Sequence, residues 1–200
     1  VGKWFVNLYD PFMAPFEKKK FKTIRKHLIQ QAEGHVLEIG SGTGVNFPFY
    51  KEALHVTRVT AIEPDPSMLD KSLSKIKDLS KVHAYLGDAQ KLPFPDHTFD
   101  TVVGTLVFCT IPDPEKALSE IQRVLKPEGK LLLFEHVRLN HFFLSRLQDL
   151  LTPLWKQVCH GCCLNRNTLQ IVTEAGFHAK KVDSTYKGLF LTMELISSKS

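Results

Sequence analysis

Between residues 17 and 31 the apolar positions Phe21, Ile24 and Leu28 recur at intervals of three and four. Lys18, Lys19, Lys20, Lys22, Arg25 and Lys26 fill much of the remaining circumference. That spacing predicts an amphipathic helix. The period then changes. Short apolar runs at 36–39, 56–62, 82–86, 99–107 and 130–137 alternate with helix-patterned segments at 45–53, 67–77 and 114–125. Strands that read as nearly continuous apolar runs, separated by helices, predict a parallel sheet covered on both faces. Asp113 and Pro114 mark one helix start, and Lys126-Pro127-Glu128-Gly129 marks its end.

The last third of the chain departs from this alternation. Residues 139–163 form a cap-like segment carrying Phe142, Phe143, Leu147, Leu150, Leu151, Leu154 and Trp155, with a break expected at Pro153. A helix follows from Asn165 to the glycine stop at Ala175-Gly176, and 177–183 and 190–197 read as an antiparallel pair at the sheet edge. The organisation expected is an N-terminal lid over residues 1–33 and one domain over 34–200, with the cap at about 139–163. No repeat or low-complexity tract interrupts it.

The first strand runs into Glu38-Ile39-Gly40-Ser41-Gly42-Thr43-Gly44. Glycine at every second position allows a tight turn and a close backbone approach to a ligand at the carboxyl end of a strand. The spacing is neither the G-x-G-x-x-G of dinucleotide sites nor a P-loop, which needs a lysine and a following hydroxyl. A carboxylate at Glu38 would repel a pyrophosphate and would suit a ligand bearing an ammonium or sulfonium cation. An NAD-dependent oxidoreductase is disfavoured on that ground.

Composition narrows the picture further. Two hundred residues, 43% hydrophobic and 24% charged, describe one ordinary globular domain. A net charge of +5 without a basic tract among exposed aromatics gives no footprint for nucleic acid. Cys109, Cys159, Cys162 and Cys163 do not form a secreted-module framework, so reduced thiols in the cytoplasm are expected. The opening residues hold neither a signal-type apolar core nor a membrane-length run. The basic face of the first helix could rest on an anionic lipid surface. Oligomeric state is not legible.

Taken in order, the glycine motif, the acidic strand end Glu63-Pro64-Asp65, Gly87-Asp88-Ala89 and the apolar run 99–107 resemble the class I S-adenosylmethionine-dependent methyltransferases over roughly residues 34–137. The resemblance implies a doubly wound, seven-stranded, mostly parallel Rossmann-like α/β sheet with an antiparallel edge strand, and S-adenosyl-L-methionine as cofactor. It implies that Gly40, Ser41 and Gly42 pack against the methionine and ribose, and that Glu38 holds the ammonium group directly or through water. Glu63 would accept from the ribose hydroxyls, and Met68 and Pro64 would cover the adenine. Asp88 and the Ala89 backbone would bond its edge, and the Thr105 carbonyl would face the ammonium. Asp65 is expected to cap the following helix instead.

Gly44-Val45-Asn46-Phe47, Glu135-His136-Val137 and the segment 150–166, with Pro153, Trp155, Gly161, Cys162 and Arg166, resemble a narrower branch. It contains alkyl-thiol S-methyltransferases of membranes and lipid droplets and small bacterial phospholipid or quinone methyltransferases. The acceptor implied is small and apolar, with Tyr9, Phe12, Phe108, Phe142 and Trp155 as candidate pocket residues. His136 is the candidate base and Asp149 its candidate partner, with an ion pair to Arg146 or Arg166 as the structural alternative for Asp149. Arg166 is expected to tie down the cap. Cys159, Cys162, Cys163 and His160 are read as packing rather than as metal ligands, because C-x-x-C lacks a second matching pair; an arsenite site is disfavoured with them. A non-catalytic cofactor-binding or assembly module of the same fold is the rival reading.

Overall fold

The structure is a computed structural model, and it describes residues 20–159 and 161–197. Helix α1 is Lys22–Ile29, β1 is Gly34–Ile39, α2 is Phe47–Tyr50 and β2 is Val56–Glu63. They are followed by α3 (Pro66–Leu73), β3 (Val82–Leu86), β4 (Phe99–Thr105), α4 (Pro114–Val124) and β5 (Leu125–His136). The chain closes with α5 (Phe142–Val158), α6 (Thr168–Glu174), β6 (Phe177–Thr185) and β7 (Phe190–Ser197).

The seven strands form one sheet in the order β3-β2-β1-β4-β5-β7-β6. β1, β2, β3, β4 and β5 are parallel, and β7 runs antiparallel to both β5 and β6. The sheet is therefore the doubly wound, mostly parallel one expected, with the antiparallel pair closing one edge. Strand order reverses between β1 and β4, and that is where an open α/β sheet leaves a crevice at its carboxyl ends.

Both faces of the sheet are covered. Leu37, Ile39 and Val102 pack against Leu118, Ile121 and Val124 of α4 and Val172 of α6. On the other face Val36, Val59 and Val103 pack with Phe21, Leu28 and Ile29 of α1 and its flank and with Phe47 and Tyr50 of α2. Phe21 meets the rings of Phe134 and Phe190 edge-on at 5.1 and 4.9 Å. The N-terminal lid expected over 1–33 is thus, in its described part, a wall packed on the core.

The expected break at Pro153 does not occur: α5 runs through it as one helix of 17 residues. Proline removes one N–H from the ladder, and here the Thr152 hydroxyl donates to Gln148 O at 2.6 Å, adding a bond one turn back. Asp65 does cap α3, accepting from Ser67 N at 2.9 Å and Met68 N at 3.0 Å. β4 ends two residues early because Leu106 takes a φ of +54° and turns the chain across the sheet's carboxyl edge.

Candidate functional site

A cleft of about 370 Å³ opens over the carboxyl ends of β1, β2 and β4. Its floor is the glycine turn. Gly40 has φ +58°, and a Cβ there would stand 2.1 Å from Val107 Cγ2, so the strand end and the 106–111 segment close up only around glycine. Gly42 has φ +55°, yet a Cβ would meet nothing within 4 Å. At Gly42 the backbone is bare toward open space, which is a cradle for a ligand.

Glu63 fixes that turn. Its Oε2 accepts from Gly42 N at 2.8 Å and its Oε1 from Asp65 N at 3.0 Å, so the strand-end carboxylate joins the turn to the start of α3. Each oxygen retains a second lone pair, and the residue lines the cleft. Burial raises the Glu63 carboxyl above its ordinary range, against the pull of the Asp65 and Gly42 amides.

Met68, Pro64, Asp88 and Ala89 line the same side of the cleft, and Gly40, Ser41, Gly42 and Thr105 line the rest of its floor. The Asp88 carboxylate already accepts from Gln90 N at 2.9 Å and from the Gln90 amide. The rest of the lining sets an apolar group, Val45, Leu106, Val107, Ile111 and Pro112, beside the polar Arg25, Asn46 and Thr110.

Glu38 does not reach the cleft surface. It is buried beneath Asn46, whose Nδ2 donates to Glu38 Oε1 at 3.0 Å and to Thr105 Oγ1 at 2.9 Å. The Tyr50 hydroxyl lies against its other oxygen without well-aligned hydrogen-bond geometry. Burial pushes the Glu38 carboxyl up to about 7, and Tyr50, Asn46 and the Arg25 charge only partly offset this. Direct contact between Glu38 and a ligand ammonium is therefore not built into this arrangement; Asn46 stands between.

Two functional candidates escaped the sequence reading. Arg25, grouped there with the solvated cations of α1, is only 4% exposed and lines the cleft. Its Nη1 donates to Asn46 Oδ1 at 3.1 Å and to Thr105 Oγ1. The signal was present: Arg25 stands at i+4 from Phe21 and i−3 from Leu28, on the apolar stripe itself. Asn46 is the second: it stands in the Gly44-Val45-Asn46-Phe47 motif, which gave it no role of its own.

The acceptor-side expectations fare differently. Asp149 lies on the surface, outside the cleft lining, paired with Arg138 Nη2 at 2.8 Å and accepting from Asn165 at 2.9 Å. Its partner is Arg138 rather than Arg146 or Arg166, and these bonds hold its carboxyl below the usual range. Among the described residues its hydrogen bonds run to Arg138 and Asn165 and not to His136.

His136 ends β5 mostly buried, with Nε2 3.1 Å from Cys162 Sγ and Nδ1 buried without a hydrogen-bond partner among the described residues. Neither nitrogen is presented to the cleft. Burial lowers the imidazole and the Cys162 sulfur more than restores it, for a net rise. The Cys162 thiol is pulled down to about 5 by the Cys109 thiol, against burial and with help from His136 and Trp155.

Phe108 is fully buried in the core, Phe142 is exposed on α5, and Trp155 is half-buried beside Cys162; none lines the cleft. Tyr9, Phe12 and His160 lie outside the described residues. Arg166 does tie the segments together, donating to Ile111 O at 2.7 Å and to Phe108 O. All four cysteines are free thiols.

The family described as Methyltransferase domain matches residues 37–133 of this chain. Thiol S-methyltransferase TMT1B of Homo sapiens is 32% identical over 186 residues, covering 84% of this chain and 75% of that protein. Phosphatidylethanolamine N-methyltransferase of Cereibacter sphaeroides is 36% identical over 106 residues, covering 52% of this chain and 51% of that protein. A SAM-dependent methyltransferase structure from Aquifex aeolicus superposes with a TM-score of 0.70 at 20% identity, covering 98% of this chain and 99% of the other. That last likeness is one of fold.

Proposed function

The chain belongs to the class I S-adenosylmethionine-dependent methyltransferases, and from that premise we propose that it methylates a small apolar acceptor, an alkyl thiol foremost, at a lipid surface. The cofactor is S-adenosyl-L-methionine. Bound in the cleft, it supplies a methyl group on a cationic sulfur that leaves as a neutral thioether.

Several features support this assignment of residues. Gly40, Ser41 and the bare Gly42 backbone hold the methionine and ribose portion. Glu63, whose two oxygens are pre-aligned by backbone amides, accepts from the ribose hydroxyls. Met68 and Pro64 cover the adenine, and Asp88 with Ala89 bonds its edge. Arg25 faces the cofactor carboxylate, while Thr105 and Asn46, the latter held from below by the buried Glu38 carboxyl, face its ammonium group. Charge vanishes as the methyl moves, so what the protein contributes is alignment and exclusion of water. The observation that carries the reading is one cleft whose lining joins the glycine turn and the strand-end carboxylate Glu63 to the apolar side chains Leu106, Val107, Ile111 and Pro112.

On the acceptor side His136 acts as one half of a pair with Cys162. Asp149 is a positioning residue, anchoring α5 to Arg138 and Asn165. Among the described residues no helix is long and apolar enough to cross a membrane. α5 instead exposes Phe142, Phe143, Leu147, Leu150 and Leu154, as an interfacial helix does. These exposed side chains support the proposed peripheral contact of α5 with the cytoplasmic side of a membrane or with a lipid droplet. Thiol S-methyltransferases and a phospholipid N-methyltransferase among the relatives support an acceptor of this kind.

The test is a transfer assay with methyl-labelled cofactor across alkyl thiols, quinols and phosphatidylethanolamine vesicles, with products identified by mass spectrometry. Methylated thiol with stoichiometric S-adenosylhomocysteine is the expected outcome. Saturable cofactor binding with no product from any acceptor would make the chain a non-catalytic module.

A further inference from the structure

One side-chain cluster beside the cleft is not accounted for by cofactor binding. Cys109 comes from the 106–111 segment, His136 from the end of β5 and Cys162 from the loop after α5, and one ligand atom of each lies within 4.8 Å of the other two. Three separate segments are thus brought to one point, and each is pinned there. Cys163 N donates to Cys109 O at 2.8 Å. Glu135 Oε1 accepts from Val107 N and Phe108 N at 2.8 and 3.0 Å. Arg166 bonds the carbonyls of Phe108 and Ile111.

Two sulfurs and one imidazole nitrogen are the donor set of a borderline-soft dication. Magnesium or calcium would require oxygen ligands. Two thiolates neutralise a divalent ion. Three protein ligands leave one tetrahedral position open, which is the arrangement of a catalytic zinc site rather than a structural one. None of the three residues lines the cleft itself, but their chain neighbours do: Thr110, next to Cys109, and Cys159, three residues before Cys162.

We propose that Cys109, His136 and Cys162 form a zinc site whose fourth position takes the sulfur of the acceptor thiol. The thiol arm of this proposal rests on the function proposed above; the metal arm does not. On coordination the S–H bond breaks, the proton passes to solvent, and a zinc–sulfur bond forms with no change of oxidation state. The acceptor is then held as a thiolate at neutral pH. With His136 serving as a ligand, a free base on the protein is not required.

The experiment is metal titration of the whole chain, reduced with a phosphine and freed of metal, using zinc and then cobalt(II) as a spectroscopic probe. One ion per chain is expected, with a sulfur-to-cobalt charge-transfer band that shifts when a small alkyl thiol is added. Cys109→Ser, Cys162→Ser and His136→Gln should each weaken binding by about tenfold or more, while Cys159→Ser keeps the band. Circular dichroism of each variant separates lost ligation from lost folding. A folded, fully reduced chain that takes up neither ion, or binding unchanged in all three variants, overturns the site. A band indifferent to added thiol overturns the thiol arm alone. S-adenosylhomocysteine affinity, measured by calorimetry on metal-free protein, tests the methyltransferase reading separately.

Discussion

The strands flanking the cleft and the outer face of α5 carry equally dense apolar patterns, and they end in opposite environments. Val36, Leu37 and Ile39 of β1 have no solvent exposure, whereas Phe143 and Leu150 of α5 are 75% and 76% exposed. The difference lies in what each pattern has to pack against. β1 sits between β2 and β4 with helices over both faces, so every apolar side chain meets another. α5 is held by its polar positions: Gln148 donates to Val137 O and Leu164 O and accepts from Leu139 N, and Ser145, Gln148 and Thr152 are its buried residues. Hydrophobic periodicity identifies a face; it does not say what the face will meet.

That contrast is sharpest at the glycine turn, where packing should fail first. Gly40→Ala would keep a left-handed φ and drive a methyl group into Val107, and both effects add. A loss of about 2–4 kcal/mol in urea unfolding is expected. Gly42→Ala carries the conformational cost without the clash, about 1 kcal/mol. If the two variants proved equally stable, the tight contact at Gly40 would not be structural.

The buried carboxylates test the same interior by charge. Glu38 and Glu135 are both pushed to about 7 by burial, so the folded protein holds protons that the unfolded chain has released. Between an unfolded value near 4.5 and about 7 the folded state binds more protons, and stability falls as pH rises through that window. Glu38→Gln should remove one share of the fall, on the order of 3 kcal/mol, while Glu135 contributes equally to both proteins. Parallel stability curves for the two proteins from pH 4.5 to 7.5 would contradict a buried, neutral Glu38.

Glu63 lies at the boundary between packing and ligand. Glu63→Ala should weaken S-adenosylhomocysteine binding by about 1–3 kcal/mol, through lost acceptors and a loosened Gly42 turn. Glu63→Gln separates the two. Its single oxygen can replace one acceptor but not both, so calorimetry should place it between wild type and alanine. An unchanged dissociation constant in both variants would move the ribose contact elsewhere.

These residues also mark where the sequence could be read and where it could not. The sheet was legible because each parallel strand is short, apolar and bounded by helix-patterned segments, so length and period agree. The cleft floor was legible because glycine at Gly40 and Gly42 and the carboxylate at Glu63 have narrow chemical uses beside a strand end, whereas Glu38 lies beneath Asn46 and out of the lining. Arg25 was misplaced because charge outweighed spacing in the reading, although its position on the Phe21–Leu28 stripe said otherwise. The pairing of Cys109 with Cys162 and His136 was out of reach: their separations depend on how α5 folds back over the 106–111 segment, which no local pattern encodes. The ion-pair partner of Asp149 was out of reach for the same reason, since it is set by the position of Arg138 across the cap.

The smallest effect expected concerns α5 itself. If its outer face rests in a lipid interface, Leu150→Ser removes one side chain from that contact, at a cost of about 1 kcal/mol in partitioning, or roughly fivefold. Leu150 is exposed in the folded chain, so stability and S-adenosylhomocysteine affinity should stay unchanged. Flotation with phosphatidylcholine vesicles containing a minor anionic lipid reads the partitioning directly. Arg146→Gln, on the same helix, tests whether charge contributes: weaker binding confined to the anionic vesicles would assign it a share. Equal flotation of wild type and Leu150→Ser would show that the exposed leucines of α5 face something other than lipid. The contrast between its apolar face and that of β1 would then be one of protein partners.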